Sequence, residues 1–225
     1  VLGSKGSTRI HVHYIPSKVF FPIELDQPIN AIDHSDTYIL AAGTSKLFIW
    51  DNSVKKRFQT IPIMNICFVR FIDESSFVTI SKSGTIAWWS IGKSKSFVKI
   101  IEFELEEEVI CAQVEPIKSK GHTHRVFCGF KNGSVRQVDL SRDGFREDEK
   151  MEAQGSDWVS SICSIGHLRL ALIGTWDNQI RVHDFDGNLK RVWKVESTPL
   201  SIFCDEEASF IVGGYDGALT KYSFR

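Results

Sequence analysis

GTWDNQIRVHD, Gly174 to Asp184, gathers a Trp, two Asp, an Arg and a His into a single short stretch. Such crowding suits either a reactive cluster or a repeated piece of scaffold. Extended by a few residues, the stretch reads LALIGTWDN (170–178) followed by QIRVHDF (179–185). Two apolar, β-branched runs flank Asp177-Asn178, and that is the pattern of a hairpin whose turn residues tolerate positive φ. His183 and Asp184 are neighbours on a strand, so their side chains point to opposite faces and cannot form a catalytic dyad with each other.

The same grammar recurs along the chain. Runs equivalent to QIRVHDF are TRIHVHYI (8–15), KLFIWDN (46–52), TIAWWSI (85–91), SVRQVDL (134–140) and ALTKYSF (218–224). Their shared position is held by His13, Trp50, Trp89, Val138, His183 and Tyr222, at intervals of 37, 39, 49, 45 and 39 residues. A period near 40 marks a repeat architecture. Most of these runs are preceded by a strand and a polar turn: FVTISKSG, VFCGFKNG, LALIGTWDN and FIVGGYDG. Upstream lies another strand, in which an apolar residue precedes Cys at Cys67, Cys111, Cys163 and Cys204; small thiols there are expected to mark one common register of an inner strand. After most third strands comes a more polar fourth, as in KVFFPIEL, KRFQTI, SFVKIIEF and LKRVWKV. Each unit therefore has four strands.

Runs such as LALIG and FIVGG are apolar on both faces, so both faces of each sheet must be covered. Radially stacked four-stranded sheets meet that demand. In these features the chain resembles the WD-repeat β-propeller family, whose mark is a Gly-rich hairpin turn before a strand ending in Trp-Asp. Trp50-Asp51 is the one literal pair. The family also places a Gly-His before the innermost strand, where the His joins the turn Asp, a strand hydroxyl and the Trp in one network. Here Gly121-His122 and Gly166-His167 fall between first and second strands instead. Asp177 and Asp216 match the turn Asp, while Asn132 and Ser83 replace it, so the full network is not expected in any repeat.

The resemblance implies an all-β propeller of about six visible blades. Four are complete, with Ile29 to Gln154 making three and Ser156 to Glu196 the fourth, and a partial blade lies on either side. The expectation is one domain over residues 1–225, part of a seven-bladed ring and lacking its first blade or N-terminal closing strand. A self-closed ring of five blades is the alternative.

Composition restricts function more than it defines it. In 225 residues, 27 Lys+Arg nearly balance 28 Asp+Glu, which gives no global field for nucleic acid or anionic membrane. Apolar content of 42% suffices for a packed core. No apolar run reaches the length of a spanning helix, and five scattered cysteines without CxxC predict free thiols. A soluble intracellular protein, cytoplasmic or nuclear, is expected. Phosphate-loop, GxSxG and HExxH motifs are absent, and His122 and His124 in KGHTHR lack further ligands at fixed spacing, so this stretch reads as a solvated loop. No cofactor, metal or catalytic residue is expected; the resemblance implies a scaffold for protein–protein interaction and complex assembly.

Two surfaces qualify for partners. Turns between second and third strands share one edge with the links between repeats. On that edge lie Glu24, Asp26, Glu104, Glu106, Glu107, Glu108, Glu152, Asp157 and Glu196, together with Trp158, Trp176 and Tyr215. Trp176 and Tyr215 each precede the turn Asp of adjacent repeats, so they are candidates for a contiguous aromatic patch that would take a Lys- or Arg-rich peptide. The opposite edge gathers Lys55, Lys56, Arg57, Lys93, Lys95, Lys118, Lys120 and Arg125. A basic rim of this kind would take nucleic acid or anionic lipid, the alternative reading.

Overall fold

The computed structural model describes residues 2–3, 6–14, 19–52, 56–93, 96–119, 122–147, 151–152, 157–204 and 209–224. They form two compact units, Val1–Glu106 and Glu107–Arg225. Each unit consists of three antiparallel sheets.

In the first unit, sheet I contains β1 (Leu2–Gly3), β2 (Arg9–Tyr14) and β3 (Val19–Glu24). Sheet II follows with β4 (Ile29–His34), β5 (Tyr38–Gly43), β6 (Lys46–Asp51) and β7 (Lys56–Pro62). Sheet III has β8 (Ile66–Asp73), β9 (Ser76–Ser81), β10 (Thr85–Ile91) and β11 (Phe97–Glu104). In the second unit, sheet IV holds β12 (Val109–Ser119), β13 (His122–Phe130), β14 (Ser134–Ser141), β15 (Gly144–Glu147) and β16 (Met151–Glu152); β15 and β16 both pair with β14. Sheet V is β17 (Val159–Ile165), β18 (Leu170–Thr175), β19 (Gln179–Asp184) and β20 (Leu189–Lys194). Sheet VI is β21 (Pro199–Cys204), β22 (Ser209–Gly214) and β23 (Leu219–Ser223).

Every sheet runs as a simple meander, and the third strands fall where the repeat predicts them. The hairpin turns have the backbone their residues anticipate: Gly133 and Gly217 take φ of 78° and 82°, and Asn178 fills the same left-handed position at 59°. Within each unit the sheets stack face to face. Leu40, Leu47, Ile49, Phe77, Trp89 and Phe97 join sheets II and III. Phe127, Val159, Ile173 and Phe185 join IV and V, and Leu172, Ile180, Phe210 and Val212 join V and VI. This double coverage buries the second strands on both faces: β9 is buried at all of its positions, its two Ser and its Thr included.

Of the hydrogen-bond network that the resemblance implies, two separate halves are seen among the described residues. In sheet III the Trp89 indole N–H donates to Thr79 Oγ1 at 3.0 Å, and in sheet V the Thr175 hydroxyl donates to Asp177. Gly166–Leu168 forms a single 3-10 turn between β17 and β18, as the placement of its Gly-His between first and second strands requires.

Two expectations need correction. The described residues of IKSKGHTHR are strand rather than loop: β12 runs to Ser119 and β13 begins at His122, and Lys120 and Gly121 lie outside the described residues. Nor do the cysteines mark one register. Each first strand of sheets II to VI opens with a β-bulge that leaves Asn30, Cys67, Ile110, Ser160 and Leu200 as the extra residue. Measured from that bulge, Cys67 sits on it, Cys111 follows it, and Cys163 and Cys204 lie further along. Cys67 has a bulge-specific role, since its thiol donates to Ile80 O at 3.4 Å as Asn30 Nδ2 does to Gly43 O.

Candidate functional site

The second unit has an edge where the links between sheets meet the turns between second and third strands. These segments are tied to one another through the backbone. Trp176 N–H donates to Trp158 O at 3.0 Å, Val195 N–H to Asn178 O at 2.9 Å, and Tyr215 N–H to Thr198 O at 2.9 Å. Thr198 Oγ1 adds a bond to Asn178 Oδ1 at 2.9 Å. The turns are therefore fixed in place by their neighbours.

On this frame the aromatic side chains remain open to solvent. Trp176 is 42% exposed, Tyr215 69% and Trp158 45%. The Trp176 and Tyr215 rings lie 6.1 Å apart between centroids at an angle of 54°, so two adjacent sheets contribute to one continuous surface. A recess beside it is lined by Glu196, Ser197, Gly214, Asp216, Thr220 and Tyr222. Among the described residues neither Glu196 nor Asp216 forms an ion pair.

Asp216 accepts the Ala218 N–H at 3.1 Å, and Glu107 and Glu108 of this edge are held by cations. Glu108 accepts from Lys131 Nζ at 2.7 Å, and the same ammonium lies 5.1 Å from the centre of the Trp158 ring. Glu107 receives Arg136 at 2.8 Å and Asn132 at 3.0 Å. Asp157 accepts the Trp158 N–H at 2.8 Å. Glu106 is exposed and adopts φ of 55°, but it belongs to the first unit. Lys131 went unnoticed in the sequence, although its place one residue before the turn of sheet IV is that of Trp176 and Tyr215 in sheets V and VI. It shows what the edge accommodates: an ammonium between an indole face and a carboxylate.

The basic set is less coherent. Lys55, Lys95 and Lys120 lie outside the described residues, as does the side chain of Lys118. In the first unit Lys56, Arg57 and Lys93 are exposed, and the Arg57 guanidinium lies 5.0 Å from both the Phe48 and Trp50 ring centres. Arg125, in the second unit, does not belong to a rim: it is 8% exposed, and its guanidinium grips Asp139 in a bidentate pair at 2.6 and 2.9 Å. The reason is register, because Arg125 and Asp139 are direct partners across β13 and β14.

Apart from the exposed Trp176, the Asp, Arg and His of the opening cluster bond within sheet V and its loops. His183 is buried, its Nδ1 donates to Gly187 O at 3.1 Å, and burial pushes its pKa down, so the imidazole is neutral. Its Nε2 has no hydrogen-bond partner among the described residues. Asp184 ties the following loop, accepting the N–H of Asp186 at 3.1 Å and of Asn188 at 2.8 Å; Lys190 at 2.7 Å and the Asn188 side chain hold its carboxyl well below the usual range. Asp177 binds Thr175 and, at 3.2 Å, Arg181, side chains rather than its own backbone. Among the described residues no group of three His, Cys, Asp or Glu is placed to hold a metal, and no helix is long and apolar enough to cross a membrane.

Compared with known proteins, the sequence matches no family model and no curated relative.

Proposed function

We propose that this chain is a WD-repeat-type propeller, or a large part of one, acting as a non-enzymatic platform for protein assembly that takes a Lys- or Arg-rich peptide at Trp176 and Tyr215. One observation carries the reading: two exposed rings from equivalent turns of neighbouring sheets touch, on backbone already fixed by the adjoining links, with Glu196 and Asp216 beside them. Exposed aromatic rings on backbone that is already bonded in place suit an interface anchor. Lys131 between Glu108 and Trp158 supplies an internal precedent for the chemistry. The stacked blade-like sheets and the period near 40 residues support the propeller reading.

The test is fluorescence-polarisation binding of Lys/Arg-rich peptides to the full chain, with a Glu/Asp-rich set as control. Removing a true anchor costs about 2 kcal/mol or more, so Trp176→Ala with Tyr215→Ala should weaken binding at least about 30-fold. Equal affinity for the basic and acidic sets, or no loss in the double variant, sinks the proposal.

A further inference from the structure

We propose that Cys163 and Cys204 are a reversible oxidation site, a dithiol that a peroxide converts into a disulfide fastening sheet VI to sheet V. Their sulfurs lie 3.0 Å apart although 41 residues separate them in the chain. The contact follows from the stacking of first strands, since β17 and β21 face each other and Ser161 Oγ also bonds Pro199 O at 2.7 Å across the same seam. A disulfide needs the sulfurs to close by about 1 Å, to roughly 2.05 Å.

The two thiols differ in access. Cys163 is buried in the core between the sheets, while Cys204 is the last residue of β21 and half-buried. Peroxide therefore meets Cys204 first. The hydrogen bond with Cys204 also draws the Cys163 pKa down, against burial and the nearby Glu115, which push it up. The thiols of Cys67 and Cys111 reach the carbonyls of Ile80 and Val159, and Cys163 also reaches Ser164 O at 3.9 Å in addition to the Cys204 sulfur.

The chemistry balances with hydrogen peroxide as the oxidant. The Cys204 thiolate attacks one peroxide oxygen, giving a sulfenic acid and hydroxide; the Cys163 thiolate then attacks the Cys204 sulfur and expels the second hydroxide. Both hydroxides leave as water with the two thiol protons. Two thiols lose two electrons, and one peroxide becomes two waters.

The experiment treats the reduced full chain with hydrogen peroxide, alkylates it, digests it and maps it by mass spectrometry. The expected result is a peptide joining Cys163 to Cys204 that disappears with dithiothreitol. Oxidation should also raise the melting temperature of the wild type by about 8–16 °C, as a cross-link closing a loop of this length does, and leave Cys204→Ser unmoved. In Cys163→Ser, the Cys204 sulfenic acid has no resolving partner and should be trapped by dimedone, whereas the wild type gives little adduct. Alkylation of both cysteines after peroxide, or Cys204 sulfinic acid beside alkylated Cys163, overturns the proposal. So does an equal dimedone yield in wild type and Cys163→Ser; the peptide map is read on the wild type even if a variant fails to fold.

Discussion

Replacing Asp139 by Ala tests whether sheet IV depends on one buried charge pair. Asp139 is fully buried and Arg125 nearly so; the guanidinium makes two bonds to the carboxylate and a third to Gln137 Oε1 at 2.8 Å. Gln137 in turn donates to Phe185 O at 3.0 Å, and Arg125 lies 5.5 Å from the Phe185 ring centre, so the pair also braces sheet IV against sheet V. Asp139→Ala removes both bonds from Arg125 and a longer one from the exposed Arg146 at 3.4 Å, and it leaves Arg125 a desolvated cation, at a cost of about 3–5 kcal/mol. Replacing both partners, as Arg125→Met with Asp139→Leu, removes the charge with its counter-charge and should cost far less, within about 1 kcal/mol of wild type. The assay is urea unfolding at pH 7 followed by Trp fluorescence. With an m-value of about 2 kcal/mol/M, Asp139→Ala should lower the midpoint by about 1.5–2.5 M. A loss below about 1 kcal/mol in the single variant, or a double variant as unstable as the single, refutes the argument, since the cost would then come from packing.

Gly129→Ala should destabilise the chain by about 1–3 kcal/mol in the same assay, because a Cβ there would meet Val159 Cγ1 at 2.6 Å and Cys111 Sγ at 2.9 Å. Acidification should weaken the fold through His183. Burial depresses its folded pKa below the ordinary 6.5, so above 6.5 it contributes no pH dependence; as pH falls below 6.5 the unfolded chain gains a proton that the folded imidazole refuses, and stability drops until the folded pKa is reached. The fall in melting temperature from pH 7 to pH 5 should be smaller in His183→Gln than in wild type, and an unchanged fall would remove His183 as the cause.

The hairpins were legible because their signals are local. Asn132-Gly133 and Asp177-Asn178 state their turns within two residues, and the alternation on either side states the strands. Arg125 was misplaced because the turn is one residue longer than Asn132-Gly133 states: a two-residue turn would set Arg125 opposite Leu140, whereas Lys131 joins the turn and brings Arg125 opposite Asp139. The bulges were hidden for a deeper reason. Whether Cys67 or Ile110 is the extra residue depends on which partner bonds its backbone, and no property of the residue itself announces that. Exposure of Trp176 and Tyr215 was equally undecidable, because rings in these turns either lie on their own loops or stand clear, and the outcome turns on backbone bonds to Trp158 and Thr198 from the links beside them.

The recurring bulge fixes how such a repeat can be lengthened. Its odd residue sits at the head of each first strand, opposite the last residue of the second, so every side chain beyond it inherits its side of the sheet from that point. Insertions in the links or outer loops leave this parity intact, and the unequal intervals between repeats record them. Deleting a single residue such as Asn30 would turn the strand's seam-facing set outward. The repeat thus tolerates change by whole loops while its first strands are held to a count, and within that count a cysteine can shift its place and find, as Cys163 and Cys204 have, a new neighbour across the seam.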